Sequence, residues 1–322
     1  MNKRIISVTV LVTMLLTGCS SSSKNLLQYE DSKSSIATLA SNSANRADLF
    51  AKDLCVIPKD TKTEEDSKMT SEASLLVNTT TKEMIYGDNV YEKLYPASIT
   101  KIVTALVTLK YGNLSDTVTI SKKAANITES GAKLCGFKEG DTITLESLLN
   151  ALIVYSGNDA GIAIAEHIAG SEEEFCKLMN QETKKLGAVN SNFVNAHGLH
   201  NDKHYTTVYD IYLVFQELIQ NETFRKIMNQ SSYTCKYKNK DGLDQTLQLA
   251  STNRYLLGKA QTDETLSVIG GKTGTTNAAG SCLVLYSTDT SQNEYISVIL
   301  KAASEEDLYQ QMTHLLDKAV SQ

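Results

Sequence analysis

Ser98-Ile99-Thr100-Lys101 sets a hydroxyl and an amine three residues apart. On a helix, positions i and i+3 share a face, so Ser98 Oγ and Lys101 Nζ can meet. A serine hydroxyl is a weak nucleophile and needs an adjacent base. Lysine is that base only where burial or a nearby cation lowers its pKa, because an ammonium has no lone pair. Pro96-Ala97 reads as a helix start, which leaves the Ser98 amide among the unpaired N-terminal donors, where it can help bind an oxyanion. Ser156-Gly157-Asn158 follows an apolar stretch and puts a hydroxyl and a carboxamide at a turn between helices. Ser156 could relay a proton there, and Asn158 could orient Lys101 or hold a substrate amide. A plain Gly turn with a helix N-cap at Asn158 or Asp159 is the simpler account of that tripeptide taken alone. In Lys272-Thr273-Gly274-Thr275-Thr276 a lysine on a strand edge is followed by hydroxyls and a glycine that permits close backbone approach. That pattern suits a carboxylate ligand, with the Thr275 amide as a second oxyanion donor.

These residues need elements to hold them. Residues 73–77 and 83–86 read as a hairpin around 78–82. Residues 98–111 form a helix whose Ile102, Val103, Leu106 and Leu109 repeat at helical spacing, so it is expected in the core. Further helices are expected at 145–155, 160–168, 172–186, 209–220 and 305–320, and a second apolar hairpin at 281–287 and 295–301. Strands at both ends around a helical middle imply an α/β (α+β) fold, an antiparallel sheet flanked by helices with a mainly helical insert.

The N-terminus carries a different message. Lys3-Arg4 precedes the apolar run 5–16, which is short of the about 20 residues a membrane-spanning helix needs. It reads as the core of a signal peptide. Leu16-Thr17-Gly18-Cys19 at its end resembles the lipobox of bacterial lipoproteins, in which the cysteine is acylated and becomes the first residue. The expected organisation is a lipoprotein signal peptide over 1–18, a Ser-, Lys- and acid-rich tether over 19–68 and a catalytic domain over 69–322, membrane-bound through lipidated Cys19 on the extracytoplasmic face. Leu49-Phe50 and Leu54-Cys55-Val56 could dock on that domain as its first strand or helix. The other cysteines, Cys55, Cys135, Cys176, Cys235 and Cys282, lack a C-x-x-C pair, which argues against a zinc or thioredoxin-like site and favours small buried hydrophobes. A formal net charge of −6 gives no sign of nucleic-acid binding. His197, His200 and His204 lack a nearby set of Cys or carboxylate to complete a tetrahedral metal site, so neither metal nor other cofactor is expected.

Taken in order, S-x-x-K, S-x-N and K-T-G resemble the signature of penicillin-binding proteins and class A β-lactamases. The sequence is more specifically similar to the low-molecular-mass D-alanyl-D-alanine carboxypeptidase family, from about residue 75 to about residue 316. Pro96 to Ile102, Ser156-Gly157-Asn158-Asp159-Ala160, Asn195-Ala196-His197-Gly198-Leu199, His204-Tyr205-Thr206-Thr207 and Lys272 to Thr276 with Ala279-Gly280 all match stretches typical of it. The resemblance implies a β-lactamase/transpeptidase-like fold and a serine hydrolase acting on peptidoglycan pentapeptide stems, with β-lactam antibiotics as covalent inhibitors. It implies catalytic roles for Ser98, Lys101, Ser156 and Asn158, and substrate binding by Lys272, Thr273, Gly274 and Thr275. Two departures stand out. No amphipathic helix or further domain follows the last helix, a place where many relatives carry their anchor. The arginine that the family often has between the last strand and the last helix is missing from Lys301-Ala302-Ala303-Ser304, which leaves the carboxylate to Lys272 and the threonines. A class A-like β-lactamase is the first alternative, but Gly157 replaces its central Asp. No glutamate occurs over 191–195, and Glu182 is followed at its fourth position by Leu186 instead of Asn. A lipoprotein that only binds wall peptides is the second, and the intact Ser98–Lys101 pair argues against it.

Overall fold

The computed structural model describes residues 53–59, 61 and 63–320. The signal peptide, Cys19 and the tether as far as residue 52 lie outside the described residues. A five-stranded antiparallel sheet is built from both ends of the described chain. Its strands are β1 (Ala73–Asn78), β2 (Glu83–Asp88), β7 (Leu266–Thr276), β8 (Gly280–Asp289) and β9 (Glu294–Ala302), in the order β2-β1-β9-β8-β7. The central strands are apolar on both faces for a physical reason. Side chains alternate across a sheet, so Leu75, Val77, Val284, Ile296 and Val298 point to one core while Leu76, Leu283, Leu285 and Ile299 point to another. Helix α8 (Glu305–Val320) covers the second face with Leu308, Met312, Leu315 and Leu316.

The first face receives the helical body. Helix α1 (Thr100–Tyr111) is buried along its whole first two turns, and the hydroxyls on it are satisfied internally. Thr104 Oγ1 donates to the Ala196 carbonyl at 2.6 Å and Thr108 Oγ1 to the Thr104 carbonyl at 2.7 Å. Around α1 stand α4 (Asn158–Ala169), α5 (Glu172–Lys185) and α6 (Val208–Leu218). Ser171 caps α5 and Thr207 caps α6 through side-chain oxygens that accept a backbone N–H in the first turn.

The insert is less helical than its sequence suggests. Besides α2 (Lys122–Ala125), α3 (Leu145–Asn150) and α7 (Glu222–Met228), it carries a four-stranded sheet in the order β3-β4-β5-β6. Its strands are β3 (Thr117–Thr119), β4 (Thr142–Thr144), β5 (Ser232–Lys238) and β6 (Asp244–Ala250). The tether reading also stops short of residue 68. Cys55 and Ile57 are buried on the body, where Tyr212 Oη accepts from the Cys55 amide at 2.9 Å and Tyr209 Oη donates to the Cys55 carbonyl at 3.1 Å. This docking uses an irregular segment instead of a strand or helix, because its backbone groups pair with tyrosine hydroxyls and not with a sheet.

Candidate active site

The helix expected from residue 98 begins as a 3-10 turn over Ala97–Ile99 and becomes α-helical at Thr100. Ala97 holds a left-handed φ of 47°, a conformation that costs on the order of 1 kcal/mol or more for a residue with a Cβ. Its result is to turn Ser98 out of the helix axis and into a cleft of about 410 Å³. Lys101, one turn on, is fully buried, with its amine 2.8 Å from Ser98 Oγ, 2.7 Å from Asn158 Oδ1 and 2.8 Å from the His197 carbonyl. Three acceptors fix that nitrogen, and none of them is a carboxylate. Burial lowers the Lys101 pKa from 10.5 to about 7, against weaker opposing effects of Cys135 and Asp159. At neutral pH a large share of Lys101 is therefore the free amine, able to take the Ser98 proton.

The second constellation sits where α3 loosens. Residues Ala151–Tyr155 form a π-helical turn, and Ser156 ends it in the left-handed region with φ 73° and ψ 34°. Such turns are frequent at functional sites because they re-aim one residue. Here Ser156 is aimed at the third constellation, and Lys272 Nζ donates to its Oγ at 2.9 Å. Gly157 has no room for a side chain, since a Cβ would lie 2.3 Å from Cys135 Sγ. Gly157, not Asn158 or Asp159, is the N-cap of α4. The Asp159 carboxylate instead accepts from the Cys135 and Gly136 amides at 3.0 and 2.8 Å, and the Asn158 amide donates to the Lys133 carbonyl at 2.7 Å. The loop over 131–136 is thereby fastened to the Ser156-Gly157-Asn158 turn.

Strand β7 is the outermost of its sheet, and it packs beside the Ser98 turn. Gly274 allows this, because a Cβ there would sit 2.7 Å from the Ser98 amide nitrogen. Lys272 is buried, donates also to the Thr273 carbonyl at 2.8 Å, and is held well below the ordinary lysine range by burial first and by the neighbouring Lys101 and Lys133 second. Ser98, Ser156, Asn158, Thr273, Gly274 and Thr275 all line the one cleft, so the sequence-predicted residues of all three motifs come together.

Other wall residues carried no motif. Thr252 places its hydroxyl 2.5 Å from Thr273 Oγ1, and the run Ser251-Thr252-Asn253 after β6 was the signal available for it. Lys133 also lines the cleft. Arg254 lies close by, but Glu305 and Glu306 bind its guanidinium at 2.9 and 2.8 Å, and Tyr309 lies beneath it. Among the described residues, Glu305 is the one carboxylate residue lining the cleft. Glu182, the nearest sequence candidate for a water-activating acid, is instead bound by Lys110, Lys185 and Tyr111 away from the wall. The three histidines have separate partners: Glu172 for His197 at 3.3 Å, Asp202 for His200 at 3.3 Å, and Thr100 Oγ1 for His204 at 2.7 Å. Burial lowers the His204 pKa to about 3, so it stays a neutral ring that braces α1.

Comparison with known proteins bears on the family and the fold. The family model for D-alanyl-D-alanine carboxypeptidase, peptidase family S11, matches residues 60–304. The chain is 33% identical over 271 residues to D-alanyl-D-alanine carboxypeptidase DacF of Bacillus subtilis, covering 80% of this chain and 66% of that protein. It is 33% identical over 262 residues to D-alanyl-D-alanine carboxypeptidase DacC of Escherichia coli, covering 79% and 62%. It thus spans just under two thirds of the length of these relatives. Among solved structures, the Streptomyces K15 DD-transpeptidase superposes with a TM-score of 0.73 at 26% identity, over 81% of this chain and all of that one. With the fold, the order of the motifs and the family match in agreement, the chain belongs to the D-alanyl-D-alanine carboxypeptidase family, serine peptidases of the S11 type.

Proposed function

We propose that this protein is a serine-type D-alanyl-D-alanine carboxypeptidase that removes the terminal D-alanine from peptidoglycan stem peptides through an acyl-enzyme. The observation that carries this is the Lys101 amine 2.8 Å from Ser98 Oγ, buried and depressed to about 7. Neutral Lys101 takes the Ser98 proton as Oγ attacks the carbonyl carbon of the penultimate D-alanine. The oxyanion forms against the Ser98 and Thr275 amides. Collapse of the tetrahedral centre breaks the peptide bond; Ser156, oriented by Lys272, passes its proton to the departing amine and recovers the one that Lys101 took from Ser98, which leaves Lys101 a free amine for the deacylating water. Lys272, Thr273 and Thr275 hold the terminal carboxylate, whose charge draws Lys272 back to its ammonium form. Asn158 Oδ1 is committed to Lys101, which leaves its amide nitrogen for the acyl part of the substrate. Water then cleaves the ester on Ser98, and β-lactams that acylate the same oxygen act as covalent inhibitors.

Purified protein incubated with a pentapeptide ending in D-Ala-D-Ala is expected to release free D-alanine, and penicillin is expected to leave one adduct that lasts for many minutes. The long life follows from the cleft wall, where the one carboxylate residue among those described, Glu305, is already paired with Arg254. Rapid penicillin turnover without D-alanine release would instead make the protein a β-lactamase. Neither D-alanine nor an adduct would make it a binding lipoprotein.

The location belongs to the same proposal. The basic and apolar start followed by Leu16-Thr17-Gly18-Cys19 supports export and acylation of Cys19, holding the enzyme on the outer face of the cytoplasmic membrane. Among the described residues, no helix is long and apolar enough to cross a membrane. Cys19→Ser is expected to move the protein from the membrane fraction to the soluble fraction or to stop its processing. Fractionation of cells expressing both forms checks this, and a processed Cys19→Ser protein still in the membrane would refute the lipid anchor.

A further inference from the structure

The cleft has three lysines in or beside it, and two are already engaged. Lys101 is held by Ser98, Asn158 and the His197 carbonyl, and Lys272 by Ser156 and the Thr273 carbonyl. Among the described residues, the third, Lys133, is the only cationic one lining the cleft, and no carboxylate lies within ion-pair distance of it. The other cation close by, Arg254, is neutralised by Glu305 and Glu306. Lys133 is not loose. Its amine sits 4.2 Å above the centre of the Tyr155 ring, which holds a cation without neutralising it. Its carbonyl accepts from the Asn158 amide at 2.7 Å, and the following loop is tied to Asp159. A half-buried lysine, propped by an aromatic face and lacking an anion, is a place where an incoming anion gains more than it would at an open surface.

Position says which anion. Thr273, Thr275, Ser251 and Thr252 line the strand side of the cleft, where the terminal carboxylate is placed beside Lys272. Lys133 comes instead from the loop whose carbonyl is bonded to the Asn158 main-chain amide, and the reaction proposed above assigns the Asn158 side-chain nitrogen to the acyl part of the substrate. We propose that Lys133 is a specificity-determining residue that pairs with a carboxylate on the acyl side of the scissile bond, in the part of the stem peptide that precedes the penultimate D-alanine. This rests on the carboxypeptidase reading above. Stem peptides offer that group from two sources, the second carboxylate of a diaminopimelate at the third position and the free α-carboxylate of a γ-linked glutamate at the second. Burial lowers the Lys133 pKa, and an arriving carboxylate opposes that shift and holds the ammonium form in place.

The test compares D-alanine release from three peptides ending in D-Ala-D-Ala: one with diacetylated lysine as the third residue, one with diaminopimelate there, and one with a γ-glutamyl group before an acetylated lysine. The parent enzyme is expected to prefer one acidic peptide over the neutral one by about 10-fold in kcat/KM, the size of one charge-assisted contact. Lys133→Met keeps the aliphatic stem on Tyr155 and the main-chain bond to Asn158. It is expected to erase that preference, with the loss falling on KM for the acidic peptide. Lys133→Arg is expected to retain it. Preference for the diaminopimelate peptide assigns the third residue, and preference for the glutamyl peptide the second. An equal loss on all three peptides, a preference that survives Lys133→Met, or a parent enzyme with no preference overturns the proposal. Release of D-alanine from the neutral peptide reports separately on the carboxypeptidase reading. Failure there, with no turnover of any peptide, sinks both.

Discussion

Ser98→Ala is expected to abolish the penicillin adduct and to lower D-alanine release by about 10,000-fold or more, since removing a nucleophile leaves only the oxyanion donors and binding. The loss should come without unfolding. Ser98 Oγ makes its described hydrogen bond only with Lys101, and the turn is held by the Ile99 amide on the Pro96 carbonyl and by Gly274 against the Ser98 backbone. Intact-mass spectrometry after penicillin treatment reads the adduct directly, and a thermal melt of the same sample checks the fold. An adduct that survives Ser98→Ala removes Ser98 from the chemistry.

Lys101→Met should slow acylation by about 1,000-fold or more, the upper part of the range for general-base catalysis. The parent protein supplies a second signature. Only the neutral amine accepts the Ser98 proton, and its pKa is about 7. The acylation rate is therefore expected to rise about ten-fold per pH unit below that value and to level off above it. Stopped-flow or quenched acylation from about pH 5.5 to 8.5 measures this. A pH-independent rate in the parent, or the same rising limb in Lys101→Met, would show that another group is the base.

Much of the site could be read from the chain because its geometry is local. Ser98 and Lys101 are one helical turn apart, Ser156 and Asn158 flank one glycine, and Lys272 to Thr275 lie on one strand. What joins the three is their order along a fold whose apolar hairpins, 73–78 with 83–88 and 280–289 with 294–302, are legible as strands. Long-range relations were not legible. The loop bearing Lys133 has no periodicity, and its position depends on the Asp159 carboxylate reaching back to the Cys135 and Gly136 amides. β3 and β4 have three residues each, too short to show alternation. β5 does alternate, with Tyr233, Cys235 and Tyr237 turned inward, but its partner β6 offers few apolar residues to mark the pairing, and its contact with β4 is confined to one end. The left-handed Ser156 and the π-helical turn before it had no sequence signal at all, since the apolar run 145–155 continues as if the helix were regular.

The buried lysines also set a direction for the stability of the fold. In the unfolded chain Lys101 has an ordinary affinity for its proton, with a pKa of 10.5, whereas in the folded chain the value is about 7. Between those two pH values the unfolded state binds more protons, so the contribution of this group to stability rises with pH across that window. Its penalty is fully present below pH about 7 and is gone above the ordinary lysine value, and Lys272 acts in the same direction. The same desolvation that frees the Lys101 amine for chemistry thus works against folding at neutral and acidic pH. A protein that keeps two such groups in its interior is held together in spite of its active site, by the two apolar faces of the sheet that contribute nothing to the reaction.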